Sequence, residues 1–383
     1  MKVQEIEKII SENTFWQKER LISFCQENLV RCVFKEKLVI LDYIDNIQCK
    51  NWNSFNSFCR GLVLDLDQKK IVAYPFDKFF SYNANEVEII DTSEKIPITK
   101  KYDGTMITVF LYQNNTHCIT RSSFDNFQIK NSLQIINSYY PKMKQLLEKN
   151  YTLIFEYISP KNRININYLL EELILLGIRD LNSGELLSYE NLKFISEKYS
   201  LKLAEQVTIS LEQLINLAKT DESEIFDEGW IISIGSKLIK LKSWKYLLTL
   251  RIIKEGLTKK QIIDKLFSNE TNIIDIFIAE LPDVFKNDIE KFCNKVNSDF
   301  INLKNDILDK YKQINYIESP KDFAFEVNTR FTQNIRSFLF TLKQGKPIDN
   351  FLKKDFWKFI DYYTNEPVID SKKLKDWAFY YID

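Results

Sequence analysis

Ile96-Pro97-Ile98-Thr99-Lys100-Lys101-Tyr102-Asp103-Gly104-Thr105-Met106-Ile107-Thr108-Val109-Phe110-Leu111-Tyr112 reads as two strand-like runs joined by a short turn that carries adjacent lysines. Ile96–Thr99 and Ile107–Tyr112 are rich in β-branched and aromatic residues, which favour a pleated, half-buried backbone. Lys101 therefore emerges at a strand edge, where its amine can face a cleft. The tetrapeptide Lys101-Tyr102-Asp103-Gly104 alone is an ordinary surface turn, and its meaning depends on what surrounds it.

Outward from this hairpin, the chain from about 59 to 245 is β-rich. Gly61–Leu66, Tyr151–Tyr157 and Gly229–Ile234 are further strand-like runs, and polar turns at 67–70 and 182–184 separate them. Helices are predicted near 130–149, 188–200 and 210–219. No strand–helix–strand rhythm repeats, so the sheets should be antiparallel. Residues 1–50 mix short amphipathic helix with strand, including the apolar run Leu38–Leu41. The texture changes near 250. Phe285, Ile289, Phe292, Val296, Phe300, Leu303, Ile307 and Tyr311 recur at three- and four-residue steps, the stripe of a long amphipathic helix. More helix is predicted over 322–363, broken by Gly345 and Pro347, with no strong strand-period run after about 255. The expected fold class is α+β: antiparallel sheets with helices over 1–250, followed by an all-helical domain over 251–383.

Composition narrows the chemistry. The 383 residues are 45% hydrophobic and 14% aromatic, enough for a packed core, and 53 Lys+Arg balance 53 Asp+Glu. Zero net charge argues against coating nucleic acid through a large positive field, so any polyanion site must be built from placed charges. The acidic N-terminus does not resemble a secretory signal, and no run approaches the ~20 apolar residues of a membrane span. Cys25, Cys32, Cys49, Cys59, Cys118 and Cys293 are scattered without a CxxC pair, and read as reduced thiols of a cytoplasmic protein. The single histidine, His117, reads as a residue of the turn after Asn114-Asn115-Thr116. With one histidine, neither a His-rich zinc site nor a choice of triad bases exists, and the chemistry falls to Lys, Arg, Asp and Glu.

Further charged segments flank the lysine turn in order: Arg60-Gly61, Lys78-Phe79-Phe80, Phe155-Glu156-Tyr157-Ile158, Asp227-Glu228-Gly229-Trp230-Ile231 and Lys240-Leu241-Lys242, the last with two lysines on one strand face. In this order they resemble the motifs of covalent nucleotidyltransferases, most closely the phage-type RNA ligase 1 family. Ser159-Pro160-Lys161-Asn162-Arg163-Ile164 is similar to that family's loop after its third motif, and the resemblance spans about 55–250.

The resemblance implies an ATP-dependent RNA ligase with a nucleotidyltransferase domain, using Mg²⁺ or Mn²⁺. Lys101 would be the nucleophile that carries AMP. Lys240 and Lys242 would meet the α-phosphate, Arg60 and Lys78 the β,γ-phosphates or ribose, and Glu156 the ribose hydroxyls. Glu228 would orient the metal, and Tyr246 would complete the nucleotide site. The substrates would be RNA 3′-OH and 5′-phosphate ends, with nicked tRNA among the candidates, the helical tail would help choose the RNA, and the protein would act as a monomer. Arg121 stands where the family has a short basic motif but differs in detail, and is a candidate nucleic-acid contact. Such a site suits the chemistry, because nearby cations favour a neutral, nucleophilic lysine and phosphoryl transfer depends on positioning and charge neutralisation. Plainer readings stand beside these: Glu156 as a half-buried strand residue in a salt bridge, Lys240 and Lys242 as a solvated face, Lys78 lying over Phe79 and Phe80. Two other functions share the fold: a GTP-dependent mRNA-capping guanylyltransferase, disfavoured because the tail lacks the short strands of an OB-fold, and a non-catalytic RNA-binding module. In the tail, Lys259, Lys260, Arg330, Arg336, Lys343, Lys346, Lys353, Lys354 and Lys358 lie near Phe331, Phe356 and Trp357, an interleaving that can hold RNA but is more simply core aromatics beside solvated lysines.

Overall fold

The computed structural model of the protein describes residues 3–44, 51–82, 95–162, 168–219, 228–234, 237–243, 256–268 and 283–369, with 47, 165–166, 246–247, 249–250, 252, 278 and 372. It divides into two compact units, Met1–Leu247 and Leu248–Tyr381.

In the first unit, β1 (Val30–Lys35), β2 (Leu38–Tyr43), β3 (Arg60–Asp65) and β4 (Lys70–Ala73) form an antiparallel sheet in chain order. Both faces of its middle strands are buried. Val39, Leu41, Leu62 and Leu64 meet Ile6 and Ile10 of helix Val3–Thr14 and Leu21 of helix Lys18–Glu27. The alternate residues Leu38, Ile40 and Val63 meet Phe110 and Ile119. That is why Leu38–Leu41 is a continuous apolar run rather than an alternating one.

The chain then forms β5 (Phe80–Ser81), β6 (Lys95–Lys101), β7 (Thr105–Tyr112), β8 (Asn115–Ile119), β9 (Tyr151–Ile158), β10 (Glu172–Asp180), β11 (Lys202–Leu203), β12 (Gln206–Ser210), β13 (Gly229–Ile234) and β14 (Lys237–Lys242). These build two five-stranded sheets, ordered β11-β10-β9-β7-β8 and β12-β6-β13-β14-β5. Helices Phe127–Tyr139 and Met143–Leu147 cover the first, where Ile129, Ile136 and Leu146 pack on Val109, Leu153 and Phe155. Helix Leu211–Lys219 covers the second through Leu211 and Leu214, packed with Trp230 and Ile232. The chain crosses from one sheet to the other at Tyr102–Gly104, between β6 and β7, which places Lys101 at the junction.

Pairing is antiparallel except at two edges, where β11 joins β10 and β5 joins β14 in parallel. Both exceptions involve two-residue strands, too short to carry a pattern of their own. His117 lies within β8 opposite Phe110, its ring stacked on that phenyl at 5.6 Å, so it is a strand residue. The turn is made instead by Gln113 and Asn114, both at positive φ (47° and 64°), a left-handed backbone that asparagine tolerates at the second position. A buried arginine escaped the sequence reading. Arg179, 3% exposed, stacks 3.8 Å from the Tyr74 ring and donates to Pro75 O (3.0 Å), Gly184 O (2.7 Å) and Asp77 (3.2 Å). It fixes the segment that leads into Lys78.

In the second unit, helices Asp283–Lys312, Pro320–Arg330, Gln333–Lys343 and Asp349–Asp355 surround a core that includes Ile307, Phe323, Val327, Phe338 and Leu339, while helix Lys259–Phe267 packs through Ile263 against Val296 and Phe356. The long helix has the bounds its stripe predicts to within two residues at its start and one at its end. One correction applies. β15 (Leu257–Thr258) pairs with β16 (Pro367–Ile369), a ribbon whose partners are over 100 residues apart and too short to show alternation. Phe331 and Phe356 are core residues at 8% and 1% exposure. Arg336 donates to Phe331 O and Asn328 O, and Lys343 to Ile317 O, so these cations brace helices. Among the described residues no helix is long and apolar enough to cross a membrane, and Cys25, Cys32, Cys59, Cys118 and Cys293 are free thiols. Cys49 lies outside the described residues.

Candidate active site

Strand register assembles the site. Gly229, first residue of β13, pairs with Lys101 on one side and with Lys242 on the other. Three adjacent strands therefore bring Lys101, Glu228-Gly229 and Lys242 to one level. Glu228, 3% exposed, bridges both lysines: its Oε2 accepts from Lys101 Nζ at 2.5 Å and its Oε1 lies 2.7 Å from Lys242 Nζ. A carboxylate so buried is sustained only by such charged partners. A side chain at Gly229 could not enter this arrangement. Its φ is +142°, and a Cβ would lie 2.1 Å from Leu241 O.

Below the lysine, Asp103 holds the turn. Its Oδ1 accepts from Tyr246 Oη (2.7 Å) and its Oδ2 from the backbone N–H groups of Asn165 (2.9 Å) and Ile166 (3.0 Å). Its own N–H donates to Tyr168 Oη at 2.9 Å. Tyr246 also presents its ring to Lys242, 4.7 Å from the ammonium. Asp103 thus fastens the Lys101 turn to the loop after β9. Of that loop, Asn162 donates to Tyr157 O and Thr105 Oγ1, both at 3.0 Å, while Arg163 and Ile164 lie outside the described residues, as does Asp227.

Glu156 on β9 accepts from Gly104 N–H at 3.1 Å, and a Cβ on Gly104 would lie 2.3 Å from Tyr157 O. The side chain keeps a little surface, but protein packs closely around the carboxylate. That desolvation pushes it up to about 7; Glu228 reinforces the rise, and Lys101 and Arg60 oppose it. Lys240 moves the other way, down to about 8, because of burial first and then the repulsion of Lys78, Lys242, Lys101 and Arg60. Five cations thus converge where a polyanion would relieve their mutual repulsion.

A pH test follows. Glu156 binds its proton more tightly folded than unfolded, so between pH 4.5 and about 7 the native state holds the extra proton and stability falls as pH rises. Glu156→Gln keeps the acceptor for Gly104 and removes the charge. It should be more stable than the wild type by about 2–3 kcal/mol at pH 8 and nearly equal near pH 4. Urea denaturation across that range measures this, and a pH-independent difference contradicts it.

The remaining predicted residues ring this centre. Arg60 Nη1 lies 3.2 Å from Met106 Sδ and its guanidinium 5.2 Å from the Phe79 ring. Lys78 sits over Phe80, Tyr43 and Trp52, while Phe79 belongs to Arg60. Arg121 is engaged within the fold: its Nε lies 2.9 Å from Asp42, a fully buried carboxylate also bound by Arg31, and its guanidinium covers Tyr43. Tyr43, Trp52, Tyr168 and Arg179 went unread in the sequence because single tyrosines, tryptophans and arginines carry no spacing signal.

Mixed sheets with a lysine turn at their junction and helices outside form the nucleotidyltransferase domain of the covalent ligases, here followed by a helical region. The chain belongs to the phage-type RNA ligase 1 family, whose pattern, described as RNA ligase, matches residues 58–249. It is 34% identical over 136 residues to a Thermovibrio ammonificans protein that carries a provisional RNA ligase name, covering 34% of this chain and 36% of that one. It is 22% identical over 396 residues to the RNA ligase of Rhodothermus phage RM378, covering 85% and 88%. A solved structure of a Naegleria gruberi RNA ligase mutant with ATP and Mn aligns with a TM-score of 0.36 at 17% identity over 42% of this chain and 52% of that one. The chain thus spans about a third of the first relative and about half of that structure.

Proposed function

We propose that the protein is an ATP-dependent RNA ligase. The observation that carries this reading is Glu228 bridging Lys101 and Lys242, which stand on the two strands flanking β13, within a ring of further cations. Lys101 Nζ attacks the α-phosphorus of ATP; the N–P bond forms, the bond to the bridging oxygen breaks, and pyrophosphate leaves. The attacking amine is neutral, and Glu228, 2.5 Å away, is the acceptor within reach of its proton. Lys240 and Lys242 meet the α-phosphate, Arg60 and Lys78 the β,γ-phosphates, and Glu156 the ribose. AMP then passes to an RNA 5′-phosphate, and a 3′-OH displaces it to form the phosphodiester.

Mg²⁺ or Mn²⁺ would neutralise phosphate charge. Among the described residues no group of three or more His, Cys, Asp or Glu could hold an ion, so Glu228 would share it with phosphate oxygens and water. The helical unit would select the RNA, nicked tRNA among the candidates, through exposed groups such as Trp357 beside Lys358. The enzyme would act in the cytoplasm as a monomer.

The test is incubation with [α-³²P]ATP and Mg²⁺ or Mn²⁺. Label stable to denaturing electrophoresis is expected, followed by sealing of a nicked anticodon loop or a linear strand. No label with any nucleotide or metal overturns the reading, and a preference for GTP would shift it to a capping enzyme.

A further inference from the structure

We infer that Trp52 is a positioning residue for the triphosphate, acting through Lys78; this rests on the ligase reading above. The Lys78 ammonium lies 4.8 Å from the Trp52 ring centroid and 5.3 Å from those of Tyr43 and Phe80. Trp52 is the centre of this cage, meeting Tyr43 edge-on at 5.0 Å and Phe80 edge-on at 5.5 Å. The backbone is fixed as well: Lys78 N–H donates to Ser57 O at 2.6 Å, and Phe80 begins the strand that pairs with β14, setting Ser81 opposite Lys240.

Chemically the cage differs from the pocket of the other lysines. Lys101 and Lys242 both rest on Glu228, so an incoming phosphate competes with a carboxylate for them. Among the described residues no carboxylate forms an ion pair with Lys78. Aromatic faces attract a cation and orient it without cancelling its charge or occupying its N–H donors as an anion would. The rings therefore aim Lys78 without neutralising it, near enough to Lys240 to depress that amine. A lysine held so suits the leaving-group end of ATP, which must be gripped on entry and released as pyrophosphate. Neither Trp52 nor the cage is needed once AMP is on the protein.

The experiment compares Trp52→Leu, Trp52→Phe and Lys78→Met in two reactions: adenylylation by ATP, and sealing of RNA that already carries a 5′-adenylate. Trp52→Leu should raise the KM for ATP about 10-fold, with kcat for adenylylation changed far less. The sealing defect should be several-fold smaller than the adenylylation defect, and Trp52→Phe, which keeps a ring face, should recover most of the loss. In the Lys78→Met background Trp52→Leu should add almost nothing, since both act on one contact. This non-additivity also separates positioning from general damage to the fold. A wild-type KM for Trp52→Leu, equal defects in both reactions, or full additivity with Lys78→Met would overturn the inference. Absence of adenylylation in the wild type itself would instead sink the ligase reading.

Discussion

Lys101→Ala should accept no label from [α-³²P]ATP at any metal or nucleotide concentration, while melting as a folded protein. The amine has two separable roles. As a charge, Lys101 is one of two cations on Glu228, and Lys242 remains at 2.7 Å when it is gone, so the buried carboxylate is not orphaned. The stability change should stay within about 2 kcal/mol. In its proposed role as nucleophile it has no substitute at that level of the sheet, because Gly229 stands opposite it and Lys242 is one strand further on. Lys101→Arg sharpens the point: it restores the charge, but a guanidinium does not give up its proton to become an attacking group. Both variants should therefore be unlabelled and folded. Label on either one would mean that another residue carries the AMP; thermal melting beside the labelling gel distinguishes loss of chemistry from loss of fold.

How much of this was legible follows the range over which each signal acts. The strands and the stripe of helix Asp283–Lys312 were readable because periodicity repeats over many residues. The charged set was readable because its members keep their order, although Arg60, Lys101, Glu156, Glu228 and Lys242 are far apart in the chain. Register was not readable. That Gly229 lies between Lys101 and Lys242 is a fact of pairing across three strands, and nothing local to any of them encodes it. The same holds for the aromatic cage on Lys78, whose rings come from a strand end, a loop and the edge strand, and for Arg179, which reads as an ordinary charged position in an apolar strand until its three acceptors are seen. His117 was misplaced because Asn114, not the histidine, takes the left-handed backbone.

Gly229→Ala should be a severely damaging change for a single added methyl. Two costs coincide there. The φ of +142° lies in a region that residues with a Cβ avoid, and the added carbon would stand 2.1 Å from Leu241 O and 2.7 Å from Lys242 Cα. Neither is the free end of a flexible side chain, so β13 and β14 must part. Strain and overpacking together should cost about 3 kcal/mol or more. Parting these strands moves Lys242 away from Glu228 and shifts Glu228 relative to Lys101, and adenylylation should fall by about 100-fold or more, since sub-ångström placement sets the rate of an in-line attack. Gly345→Ala provides the comparison. Its φ is also positive, +71°, but nothing lies within 4 Å of the added carbon and it is remote in sequence from the charged set. It should cost only about 1 kcal/mol and leave labelling near the wild-type rate. Denaturant titration and labelling of both variants decide the matter. If Gly229→Ala loses no more stability than Gly345→Ala and labels normally, the three-strand register does not place the lysines as described, and the site would have to be drawn from another pairing.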